Sequence, residues 1–99
     1  MVRHIVAWSF KDGFSVEEKN QHRAKIKAGL EALVGRIDGL VEMKVCTDPL
    51  TSSTSDMLLN SLFESEQALK AYQIHPEHKK VSAFVGEVME SRICLDYED

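Results

Sequence analysis

Two kinds of hydrophobic spacing alternate along this chain, and their order restricts the folds that it can adopt. Four segments alternate apolar and polar residues with a period of two, as strands do, and two longer segments repeat apolar residues every three or four positions, as helices do. The strand-like segments are 2–10, 40–47, 57–63 and 92–97, and the helix-like segments are 15–37 and 65–89. The predicted order of elements is therefore β-α-β-β-α-β.

This order, within a chain of 99 residues, predicts an α+β fold of the ferredoxin-like type. Such a sandwich has four antiparallel strands with both helices on one face, so the opposite face of the sheet needs a cover. The length corresponds to one domain, residues 1–99. A domain of this size hides only somewhat more than ~60% of its unfolded surface, so pairing with a second copy would hide more. We therefore expect a homodimer.

The helix boundaries follow from capping signals. Ser15 and Glu18 have the S-x-x-E spacing of a capping box, and Gly35 and Gly39 are expected to end the first helix. Proline is favoured at the first helical position, so His75-Pro76 predicts a break in the second helical segment, with a new helix beginning there. The first helix is predicted to bury one apolar stripe and to leave His22 solvated: the stripe is Val16, Ile26, Leu30, Leu33, Val34 and Ile37. In the second strand the predicted inner residues are Val41, Met43 and Val45.

Composition excludes several classes of function. A formal net charge of -4 gives no attraction for phosphate backbones, so nucleic acid is not an expected partner. The first apolar run, residues 5–8, is far shorter than a signal sequence or a membrane span, which predicts a cytoplasmic protein with no membrane partner. Cys46 and Cys94 lie in strands without metal-ligand spacing and are predicted to be buried thiols with no disulfide. No metal or cofactor is predicted.

The residues with the most chemical potential lie between Tyr72 and His78. This run places two imidazoles and a phenol within about two helical turns, and an imidazole titrates near pH ~6.5, so a histidine in a pocket can exchange protons at neutral pH. His4 is predicted on a mostly apolar face of the first strand. Two other interpretations stay open: His75-Pro76 is also an ordinary way to begin a helix, and His75 with His78 could hold a metal, although a third ligand is not apparent.

Taken together, five segments resemble one known family, the stress-responsive α/β-barrel (Dabb) domain. The resemblance covers nearly the whole chain, and the motifs that carry it are Arg3–Val6, Leu33–Leu40, Phe63–Ser65, Tyr72–His78 and Asp96-Tyr97. It implies that the open face of the sheet packs on that of a second copy, so that the two sandwiches form a dimeric α/β barrel. Some members also hold a divalent ion through backbone carbonyls, at positions that match Val34, Ile37 and Leu40.

The resemblance also implies a catalytic site. The family includes plant polyketide cyclases, in which two histidines promote an intramolecular aldol condensation, and these positions match His4 and His78. By the same resemblance His78 is the general base, Asp96 orients it and Tyr72 contributes to the pocket. A further cavity tyrosine of the cyclases is replaced here by Leu30, which argues against their large phenolic substrate.

Two functions therefore compete. The first is an enzyme or small-molecule binder with His4, Tyr72, His78 and Asp96 around a cavity, and it predicts that both imidazoles point into that cavity. In this case a carboxylate fixes the tautomer of the base and leaves the other ring nitrogen free. The second is a non-catalytic homodimer with a structural or stress-protective role, in which an Asp96–His78 contact only fastens the last strand. It predicts a filled interior and a dimer interface formed by one face of the first strand, either Val2, Val6, Trp8 and Phe10 or the residues between them.

Overall fold

The computed structural model describes all of residues 1–99 and contains four strands and three helices. Its elements are β1 (Val2–Phe10), α1 (Val16–Glu31), β2 (Leu40–Cys46), β3 (Met57–Phe63), α2 (Glu66–Ile74), α3 (Pro76–Val88) and β4 (Met89–Glu98). The sheet has the order β2-β3-β1-β4 and all its pairs are antiparallel. The predicted ferredoxin-like α+β fold is confirmed, with the second crossover divided into α2 and α3.

The predicted helix starts are present as side-chain caps. The Glu18 backbone N–H donates to the Ser15 hydroxyl (3.1 Å), and the Ser15 N–H donates in return to the Glu18 carboxylate (2.9 Å). These bonds favour the ionised carboxylate and lower the pKa of Glu18. Ser65 caps α2 in a similar way, by accepting from the Ala68 N–H. The sequence therefore sets the start of each crossover helix locally.

The core lies between the helices and one face of the sheet. Alternate residues of β1 are buried there, among them Val6 and Trp8, and they pack in one cluster with Ile26 and Leu30 of α1 and with Tyr72 of α2. This burial removes apolar surface from water and is the main stabilising contribution expected in a domain of this kind. The cluster also fixes the positions of α2 and α3 over the strands that carry the polar residues described below.

Three residues that were predicted to be buried are exposed in the structure. Val16 is 74% exposed because it is the first residue of α1, and Val34 is 42% exposed because it lies in the turn that follows that helix. Val41 is 37% exposed because the register of β2 against β3 shifts between Leu40 and Glu42. An irregularity of this kind changes the alternation of side chains, so Leu40 is buried in place of its neighbour.

His22 and the two cysteines also differ from expectation. The His22 ring is half-buried, because Phe14 of the loop before α1 (centroids 4.8 Å apart) and Phe84 of α3 (5.4 Å) pack against it. Cys46 and Cys94 are exposed and free rather than buried. Each lies on an edge strand, which has a neighbouring strand on one side only.

The second face of the sheet carries no helix and displays apolar side chains. Ile93, Leu95 and Tyr97 of β4 are 69%, 63% and 46% exposed, and Leu58 of β3 is 38% exposed. They occupy the side opposite the core, together with Ile5, which lies directly across from Leu95. We refer to this surface as the open face. None of the helices is both long and apolar enough to pass through a membrane.

Candidate active site

A cavity of about 350 Å³ lies on the helical side of the sheet. His4, Val6 and Trp8 of β1 form part of its wall, and Tyr72, His78 and the first residues of β4 form other parts. The interior is therefore not filled, contrary to the expectation for a purely structural domain. Its lining combines apolar side chains with a few polar groups, which is the usual composition of a small-molecule site.

The His75-Pro76 break brings the phenol and one imidazole together. His75 ends α2 and caps α3, because its Nδ1 accepts the backbone N–H of Glu77 (3.1 Å) while Pro76 occupies the first helical position. The change of direction at this break packs the Tyr72 ring on the His78 ring, with centroids 4.0 Å apart and planes inclined by 32°. His75 is thus a capping residue, and its Nδ1 is engaged by the cap.

His78 has the environment of a neutral base. Burial lowers the pKa of its imidazole, and the positive charges of His4 and Arg92 lower it further. Its Nδ1 faces the backbone carbonyl of Gln73 at 3.4 Å. A proton on Nδ1 can be donated to that carbonyl, and Nε2 is then the nitrogen that is free to accept a proton.

Asp96 is placed differently from the prediction that it orients His78. It lies directly across from His4 in the pairing of β1 with β4, and its carboxylate oxygen Oδ1 bonds to Nδ1 of His4. The His4 ring is almost fully buried, whereas the Asp96 side chain is 39% exposed. The predicted Asp96–His78 contact is therefore wrong. The register of β1 against β4 places the Asp96 carboxylate on His4, and the acceptor that faces His78 is the Gln73 carbonyl.

Tyr72 supplies a buried hydroxyl to the same cavity. Its side chain is 1% exposed and its ring also contacts Phe63, with centroids 4.9 Å apart. Burial raises the pKa of the Tyr72 phenol, because desolvation disfavours the charged form. The phenol therefore stays protonated at neutral pH and is available as a hydrogen-bond donor.

One group of side chains has the composition of a metal site. His4, Cys94 and Asp96 place a nitrogen, a sulfur and an oxygen atom within 4.8 Å of one another at the edge of the sheet. These ligand types are those that Zn²⁺ accepts. In this structure the same atoms bond to one another, since Cys94 lies 3.5 Å from the Asp96 carboxylate that also engages His4.

Sequence reasoning missed Arg92. This residue lines the cavity and lies directly across from Trp8 in the pairing of β4 with β1. A signal was present: Arg92 shares the strand parity of Asp96, so both side chains lie on one face of β4. Without the register of β4 against β1, however, that parity does not show which face borders the cavity.

The chain matches the family model of the stress responsive A/B barrel domain, Dabb, over residues 2–99. No curated protein sequence matches it significantly. A solved structure of a dimeric protein of unknown function with a ferredoxin-like fold, from Bacteroides fragilis, is 34% identical with a TM-score of 0.93, over 99% of this chain and 95% of that one. A Dabb family protein from Mesorhizobium loti is 20% identical, with a TM-score of 0.71 over 99% and 95% of the two chains. Hydroxynitrile lyase from Passiflora edulis is 22% identical, with a TM-score of 0.73 over 97% and 90%. At these identities the last two show a shared fold.

Proposed function

Because this chain belongs to the Dabb family, we propose that it is a homodimer that binds a small carbonyl compound and catalyses proton transfer of the aldol type. The observation that carries the proposal is the Tyr72–His78 pair, whose rings are 4.0 Å apart in the wall of a cavity of about 350 Å³. A protonated phenol and a neutral imidazole in one cavity supply a hydrogen-bond donor and a base.

His78 is the base in this mechanism. With the proton of Nδ1 directed at the Gln73 carbonyl, Nε2 removes a proton from the carbon next to the substrate carbonyl. The lowered pKa keeps the ring unprotonated at neutral pH, so the base form predominates. The electron pair of the broken C–H bond passes to the carbonyl oxygen and gives an enolate, and the proton stays on the imidazole.

Tyr72 and His4 act on the oxygen that becomes negative. The Tyr72 hydroxyl donates a hydrogen bond to the enolate oxygen, which stabilises that charge. Asp96 engages Nδ1 of His4, so only Nε2 of His4 is available to a ligand. With its ring protonated, His4 donates from Nε2 to the same oxygen.

The second half of the reaction restores the base. The enolate carbon attacks a second carbonyl carbon of the same molecule, a carbon–carbon bond forms, and that carbonyl oxygen becomes an alkoxide. The imidazolium of His78 returns its proton to this oxygen. The product is an isomer of the substrate, so the reaction needs no oxidant, reductant or further reactant.

The open face supports the dimeric part of the proposal. Ile93 and Leu95 are more than half exposed there, which leaves apolar surface in water in a single copy. The Bacteroides fragilis protein, at 34% identity, is dimeric. The alternative of a non-catalytic, stress-protective homodimer uses the same face, but it predicts a filled interior, and the cavity beside His78 favours the catalytic hypothesis.

The test is hydrogen exchange at carbon. The protein is incubated with 2-hexanone in D₂O, and deuterium incorporation next to the carbonyl is followed by proton NMR. We expect the wild type to accelerate exchange, the His78→Gln variant to lose about a hundredfold or more, and Tyr72→Phe to lose a similar factor. His75→Asn is the matched control, because asparagine also caps helices and this residue lies outside the cavity wall. Equal exchange by the wild type and His78→Gln would refute the proposed role.

A further inference from the structure

Besides the Tyr72 phenol, four titratable side chains line the cavity: His4, His78, Glu90 and Arg92. Arg92 differs from the other arginines that lie near carboxylates, since Arg3 bonds to Asp99 at 2.7 Å and Arg23 lies 4.0 Å from Asp56. No salt bridge of the protein includes Arg92, although Glu90 is two residues away on the same strand. Its guanidinium lies beside the Cys94 thiol and has no carboxylate partner, so it can bind an anion from outside the chain.

The charge of Arg92 acts on the proposed catalytic pair. It lowers the pKa of His78 and opposes the rise that burial causes at Tyr72. The cation, the base and the phenol therefore belong to one electrostatic environment. Trp8, which lies across from Arg92 in the sheet, and other apolar side chains such as Val85 complete the wall of this cavity.

We propose that the carbonyl compound bound in this cavity carries a carboxylate, and that Arg92 binds it. This inference rests on the proposed function and names its substrate class: small carboxylates that also carry the two carbonyl groups of the intramolecular step, with single-ketone oxo-carboxylates as binding analogues. A guanidinium matches the two oxygens of a carboxylate with two parallel hydrogen bonds. The apolar wall then contacts the carbon chain, and the carbonyl is held near His78 and Tyr72. A cavity of about 350 Å³ is near the lower end of the range for ligand pockets, which suits a short molecule.

The size of the effect can be estimated from the chemistry of the contact. A hydrogen bond to a charged group contributes more than one between neutral groups, and loss of a single charged partner is expected to weaken binding at least about tenfold. An uncharged ligand of the same shape cannot gain this contribution. Arg92 also lies on an edge strand with an exposed side chain, so its replacement is expected to leave the fold intact.

The experiment compares 4-oxopentanoate with its amide, 4-oxopentanamide, by NMR titration of the Trp8 indole and His78 ring signals. The wild type is expected to bind the acid at least about tenfold more tightly than the amide. Arg92→Gln should remove this preference. Arg92→Lys should retain part of it, because lysine keeps the positive charge but cannot donate two parallel hydrogen bonds to the carboxylate. Arg36→Gln is the matched control, since Arg36 is exposed in the turn after α1, away from the cavity. In the free protein Arg92→Gln should also raise the pKa of His78, because a nearby positive charge is removed.

The outcomes separate the two proposals. Equal binding of acid and amide by the wild type, with His78-dependent exchange of 2-hexanone still present, would overturn the assignment of Arg92 and leave the proposed function in place. A preference for the acid that persists in Arg92→Gln would likewise overturn it. Failure of both probes to bind, with no exchange of 2-hexanone, would overturn both proposals.

Discussion

Gly39 provides a quantitative test of how the first crossover loop positions α2. Its backbone has φ +82°, a conformation that side chains with a Cβ disfavour, and a Cβ added there would lie 2.5 Å from the Cβ of Ala68. Gly35 has a similar φ of +87° but no atom within 4 Å of the added Cβ. Gly35→Ala therefore measures the backbone cost alone, whereas Gly39→Ala adds a steric overlap with α2.

The magnitudes follow from these two terms. A left-handed conformation costs a residue other than glycine about 1–2 kcal/mol, and this is the loss of stability expected for Gly35→Ala. Overpacking adds about 1–3 kcal/mol, so Gly39→Ala should lose about 2–5 kcal/mol in total. For a domain of this size each kcal/mol corresponds to about 4–8 °C in Tm. Gly39→Ala should therefore melt at least about 4 °C below Gly35→Ala.

The assay is urea and thermal unfolding at one fixed protein concentration, because the proposed association would make both midpoints concentration-dependent. The double variant Gly39→Ala with Ala68→Gly should regain the overpacking term, less up to about 1 kcal/mol for glycine in a helix. Tyr72 follows Ala68 by one helical turn, so displacement of α2 by Gly39→Ala should also weaken binding of 4-oxopentanoate. Equal losses in the two alanine variants, or no rescue by Ala68→Gly, would refute the steric reasoning.

Three further predictions test the site and the assembly. Burial lowers the pKa of His78 in the folded protein, whereas in the unfolded chain this imidazole keeps a pKa of about 6.5. Below that pH the unfolded chain binds more protons, so the free energy of unfolding should fall as pH decreases through it. In urea titrations at several pH values, His78→Gln should show a weaker pH dependence than the wild type. Asp96→Asn should change the ring ¹⁵N chemical shifts of His4 and leave those of His78 unchanged. A change at His78 alone would instead support the Asp96–His78 contact that the family resemblance implies. If the wild type sediments as the proposed dimer, Leu95→Lys, on the open face, should sediment as a monomer, while Val16→Lys, at a position on α1 that is at least as exposed, should not. A dimeric Leu95→Lys protein would exclude this face as the interface.

Local signals in the sequence were sufficient for the element order. The Ser15–Glu18 capping box and the His75-Pro76 break depend on residues within one helical turn, and both are present as predicted. Val41 could not be placed in this way, because an irregularity in the pairing of β2 with β3 changes which side its neighbours face. Periodicity gives the parity of a strand, but the position of a bulge depends on the partner strand.

The site shows the same limit. Tyr72 and His78 are close in sequence, and their meeting in one cavity follows from the helix break between them. The partner of Asp96 depends on a pairing over more than ninety residues of chain, in which β1 and β4 are neighbours in register. Arg92 belongs to the site for the same reason. Residue types and local spacing therefore predicted which side chains could react. Which distant residues contact one another depends on the register of the sheet.

The register of β1 and β4 also connects the two functions proposed for this chain. Along β4, Arg92 and Asp96 face the cavity side while Leu95 lies on the open face, because successive side chains point to opposite faces of a strand. β4 is an edge strand that is exposed along nearly its whole length, so a second copy packed on the open face would restrict the same backbone that holds Arg92. Dimer formation should then favour ligand binding, and by linkage the ligand should favour the dimer by the same factor. The affinity of the wild type for 4-oxopentanoate should consequently rise with protein concentration. The affinity of Leu95→Lys should not depend on protein concentration and should equal the weaker affinity of the monomer. An affinity that is the same in both proteins at every concentration would show that the two faces of β4 act independently.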